Sequence, residues 1–112
     1  MKVAFVLPAR AGGGGVHSVV QEAAEMHRMG VQVRLLVNEK NLASFLSSYP
    51  ADLRVREFID FFSDTDTLSA QLRPTDIVVG TIYTSMALIR DALVLWEEDA
   101  QRPIIAYYIQ DY

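Results

Sequence analysis

At 112 residues and 51% hydrophobic content, the chain has the size of one domain and enough apolar material for a packed core, which leaves no room for a second full domain. Its formal charge is −4 and its lysines and arginines stand singly, so there is no basic stripe to follow a run of phosphates and nucleic acid is excluded as a partner class. With no cysteine and two histidines, His17 and His27, that do not cluster, neither a disulfide framework nor a metal site is expected.

The first element is Val3 to Leu7, a continuous β-branched and apolar run ended by Pro8, as in a strand buried on both faces. That run is too short for the apolar core of a signal peptide, and the longer apolar stretches fall below the roughly 20 residues of a membrane span. A cytoplasmic protein is expected. After a glycine-rich turn, Val16, Val19, Val20, Ala23, Ala24 and His27 recur at helical spacing, and Gly30 follows as a C-cap glycine. Val31 to Val37 reads as the second strand, which completes a parallel βαβ unit.

Asn41 to Ser48 predicts a short helix before Pro50, and Leu53 to Phe58 a third strand. Asp64 to Leu72, rich in capping residues and poor in apolar ones, predicts a surface helix stopped by Arg73 and Pro74. Ile77 to Gly80 is a fourth buried strand. Thr84 or Ser85 caps a helix whose Met86, Ala87, Ile89, Ala92, Leu93 and Trp96 form a wide apolar face. Ile104 to Ile109 is a fifth apolar strand. This alternation predicts an α/β fold: a Rossmann-like, doubly wound parallel sheet of about five strands with helices on both faces.

In such a sheet ligands bind beyond the carboxyl ends of the strands, so the segments that leave the strands carry the candidate chemistry. Residues 8 to 18, PARAGGGGVHS, follow the first strand. Glycines there let a backbone approach a ligand, and the following helix offers free N–H groups and its positive end to an anion; a close-packed turn without a ligand is the other reading. His17 falls in the first helical turn, as a donor to phosphate or sugar, a base, or simply an exposed helix residue. His27 lies on the apolar face near the helix end, as a packed or dipole-interacting histidine.

Residues 80 to 86, GTIYTSM, bring Thr81, Tyr83, Thr84 and Ser85 to a strand-to-helix turn, where hydroxyls suit a sugar or phosphate and capping explains Thr84 or Ser85 equally. Gln110 and Asp111 close the fifth strand, and the carboxylate of Asp111 reads as structural. There is no G-x-S-x-G, no Walker lysine after the glycines and no H-E-x-x-H, which removes hydrolase, nucleotide-triphosphatase and zinc-protease readings.

The succession KVAFVLP, GGGGVHSVVQEAAEMHRMGVQVRLLV, DIVVGTIYTSMAL and IIAYYIQDY resembles the N-terminal domain of retaining GT-B glycosyltransferases, in the large family of bacterial rhamnosyl- and mannosyltransferases. The likeness spans nearly the whole chain, though Val31 stands where many members carry a histidine. The resemblance implies an acceptor-side domain facing a donor-binding domain that is not in this sequence, with no cofactor and no catalytic residue assigned. Gly13, Gly14 and Gly15 would form the loop near the donor pyrophosphate, and His17, Tyr83 and Thr84 would line the cleft. Partners implied are a nucleotide-sugar donor and a glycan or lipid-linked acceptor, with peripheral membrane association and a homodimer as further expectations.

Two other readings compete. In an NAD(P)-binding oxidoreductase domain the glycine loop would hold the cofactor pyrophosphate and Glu39 the ribose, but the fingerprint is broken, since Gly13 and Gly15 are followed by Ser18 where a third glycine belongs. A non-catalytic α/β binding module is the third.

Overall fold

The computed structural model describes residues 1–8 and 14–108, and for Asp52 and Tyr83 the backbone alone. The five-residue run after Lys2 forms β1 (Lys2–Leu7), whose Ala4 and Val6 are fully buried on one face while Val3, Phe5 and Leu7 are buried on the other. Burial on both sides explains why this strand shows no polar alternation. β1 pairs in parallel with β2 (Gln32–Asn38) from Lys2 opposite Gln32 to Leu7 opposite Val37. On its other edge it pairs with β4 (Ile77–Gly80), Val3 opposite Ile77 through Val6 opposite Gly80. β3 (Ile59–Phe62) extends the sheet beyond β2, and β5 (Ile104–Tyr107) extends it beyond β4. The order is β3-β2-β1-β4-β5, all parallel, so the winding direction reverses between β1 and β4.

Helices cover both faces. α1 (Gly14–Arg28) packs Val16, Val19, Val20 and Ala23 onto Val3, Phe5, Leu7 and the odd-numbered positions of β2, joined there by Phe45 of α2 (Leu42–Ser48). On the opposite face α3 (Thr65–Leu72) and α4 (Tyr83–Val94) bury Leu68, Leu72, Ile89, Ala92 and Leu93 against Ala4, Val6, Leu36 and Val78. The chain is thus α/β and Rossmann-like, as its strand pattern predicts.

α1 ends in a Schellman turn. Val31 N–H donates to Met26 C=O and Gly30 N–H to His27 C=O, both at 3.0 Å, while Gly30 takes φ +90°. Just beyond it, His27 leans on Phe58 and its Nε2 lies 3.2 Å from Glu57 Oε1, so it is a packed histidine at a helix end, as its position on α1 implies.

Four expectations are corrected. Leu53 to Phe58 is not a strand: two single-turn 3-10 segments, Ala51–Leu53 and Val55–Glu57, flank Arg54 at φ 58°, and β3 begins only at Ile59. The left-handed residue breaks the extended path, and Val55 and Phe58, three apart, both reach the core. α3 is no mere surface helix, because Leu68, Ser69 and Leu72 are buried and Trp96 Nε1–H donates to Ser69 Oγ at 2.9 Å. β5 is an edge strand, exposed at all four residues, with Ile104 at 69%. Finally α4 starts at Tyr83 and ends at Val94, so Trp96 lies past its end yet stays buried.

Part of the polar wiring is internal. Arg34 on β2 donates to Gln71 C=O, to Gln71 Oε1 at 2.6 Å and to Thr75 Oγ1 at 3.3 Å, tying the end of α3 to the sheet. Burial pushes its guanidinium below the usual arginine value, and the nearby Asp60 opposes that shift.

Candidate functional site at the carboxyl edge of the sheet

β1 and β4 are neighbours, so the segments that leave them emerge side by side at the reversal point. α1 begins at Gly14 and α4 at Tyr83, which brings two helix N-termini to the same edge of the sheet. Neither first turn contains an acidic residue. A helix start without a carboxylate keeps the positive end of its dipole facing outward, and a negative group is favoured beside such an end.

Gly80 leaves room for Met86 in the first turn of α4. A Cβ built there would overlap Met86 Sδ and lie 3.2 Å from Met86 Cγ, so a side chain at this strand end would displace the Met86 thioether. The turn itself is held by hydroxyls. Thr81 Oγ1–H donates to Val6 C=O at 2.7 Å, across the β1–β4 seam. Ser85 Oγ accepts from Thr81 N–H at 2.7 Å and Ile82 N–H at 3.0 Å, and donates to Ile82 C=O at 2.6 Å. Both hydroxyls are buried and committed to the turn. They serve the framework, so the expectation that they meet a ligand is corrected, as is the expectation that Thr84 or Ser85 caps the helix: its N-cap is Ile82, and Ser85 lies inside the first turn with its hydroxyl turned back onto the Ile82 backbone.

On the β1 side, Asn41 Nδ2–H donates to Pro8 C=O at 3.3 Å, linking the exit of β1 to the segment that follows β2. His17 is exposed in the first turn of α1 and sets its ring edge-on to Tyr49, 5.3 Å between centroids. Tyr49 in turn stacks on the fully buried Phe45 at 5.9 Å. A line of rings therefore runs from the core to the start of α1 and fixes where His17 stands.

Of the residues singled out in the sequence, Gly14, Gly15, His17 and Thr84 lie at the two helix starts, with Thr84 exposed. The backbone of Tyr83 opens α4, and its side chain lies outside the described residues, as do Gly13, Gln110 and Asp111. Glu39 is exposed directly after β2, where Asn38 Oδ1 accepts from Lys40 N–H at 3.0 Å. Asn41 and Tyr49 were not legible as site residues. The only sequence signal for Tyr49 is its i, i+4 spacing from Phe45, which reads equally as core packing.

Among the described residues no group of three or more histidines, cysteines or carboxylates is placed to hold a metal ion. No helix among them is long and apolar enough to cross a membrane. Comparison with protein-family models, with curated proteins and with solved structures gives no match. The fold therefore defines the chain as a doubly wound α/β domain whose β1–β4 reversal faces two helix starts.

Proposed function

We propose that this chain is the acceptor-side, Rossmann-like unit of a retaining glycosyltransferase of the GT-B type, which moves a sugar from a nucleoside-diphosphate donor to a glycan or lipid-linked acceptor. The observation that carries the reading is the pair of acid-free helix starts flanking the β1–β4 reversal, suited to the pyrophosphate of such a donor. In this reading Gly13, Gly14 and Gly15 form the loop beside the pyrophosphate, and His17, Tyr83 and Thr84 line the cleft. The sequence resemblance supports the choice of a sugar donor over other anions. A second domain would supply most of the contacts to the donor nucleotide, so binding by this unit alone is weak. The protein works in the cytoplasm, at the membrane surface where its acceptor is lipid-linked, and the exposed β5 edge suits a homodimer.

A dinucleotide-binding reading stands second, favoured by one observation: Glu39 follows directly on β2, next to β1, where a ribose-binding carboxylate belongs in this strand order. Titration of the isotope-labelled chain with UDP-, GDP- and dTDP-sugars and with NAD separates the two. Amide shifts at Gly14, Gly15, His17 and Thr84 with a nucleotide sugar, unaffected by Glu39→Gln, support the transferase reading. Shifts with NAD alone that vanish in Glu39→Gln replace it with the dinucleotide reading. No shift at these amides with any millimolar ligand defeats both.

A further inference from the structure

We draw no further inference here: the strongest candidate, the apolar groove of about 690 Å³ between α1 and the β4–β5 face, lined by Phe5, Met26, Met29, Ile77, Val79 and Tyr108, carries nothing because nothing in the structure shows what covers it.

Discussion

Replacing Gly80 by alanine tests how the candidate site is built. The added methyl meets the Met86 thioether, and the backbone of α4 begins only three residues further on, so either Met86 leaves its rotamer or the helix start moves outward. Overpacking of this kind costs about 2 kcal/mol. At about 2.1 cal/mol/K per residue, the 112-residue chain has an unfolding entropy of about 0.24 kcal/mol/K, so Gly80→Ala lowers Tm by about 8 °C. Met86→Ala alone is also destabilising, because Met86 packs against the cluster around Ile89. In the Met86→Ala background, however, the obstacle is gone, and Gly80→Ala becomes neutral or mildly stabilising by restricting the unfolded chain. Thermal unfolding followed by circular dichroism on the four proteins of this double-mutant cycle measures the coupling. A coupling below about 0.5 kcal/mol, with Gly80→Ala equally harmful in both backgrounds, refutes the claim that Gly80 exists to admit Met86 and α4.

Gly30→Ala is strained at φ +90° although its Cβ meets nothing within 4 Å, so chemical denaturation registers a loss of about 1 kcal/mol from backbone conformation alone. Phe45→Ala removes a fully buried ring and costs about 3–5 kcal/mol; because Tyr49 loses its stacking partner, the His17 ring protons shift in the NMR spectrum of the folded fraction. Thr81→Val removes the buried hydrogen bond to the Val6 carbonyl at the β1–β4 seam and destabilises by about 1 kcal/mol in urea unfolding. Hydrogen bonds from Arg54, then from His27, hold the Glu57 carboxyl below its usual value of 4.5. Its depressed folded value means that the stabilisation is complete above about pH 4.5 and is lost as pH falls through the folded value. Glu57→Gln therefore flattens the acid side of the stability profile, and an unchanged slope between pH 5 and about pH 2 defeats that assignment.

The buried strands and the first helix were legible because burial on both faces leaves an uninterrupted apolar run, and Gly30 marks the helix end. Leu53 to Phe58 misled because Leu53-Arg54-Val55-Arg56 alternates like a half-buried strand. Local turn bonds, from Leu53 N–H to Pro50 C=O and from Phe58 N–H to Val55 C=O, win instead around left-handed Arg54. α3 was underrated since its buried face is built from only a few side chains, one of them Ser69, whose hydroxyl is satisfied by Trp96 far along the chain. At the candidate site, the pattern placed a helix after β4 but started it two or three residues late, and it could not tell a hydroxyl facing a ligand from one turned back to the chain. Thr81 differs from Thr84 through a distant partner, Val6 C=O, that no local pattern encodes, whereas Ser85 is committed to the backbone of Thr81 and Ile82 just before it.

β1 is first in the sequence but central in the sheet, and this ordering governs how the chain is made. Lys2 N–H donates to Asp76 Oδ2, 74 positions downstream, at the entrance to the β1–β4 seam. At a synthesis rate of about 5–20 residues per second, the ribosome needs roughly 4–15 s to supply that partner. During those seconds β2 and β3 can zip onto one edge of β1, while the other edge waits with its amide groups unpaired. The nascent chain therefore spends its most aggregation-exposed interval with its most apolar strand half covered, and emergence of residues 77–80 closes it.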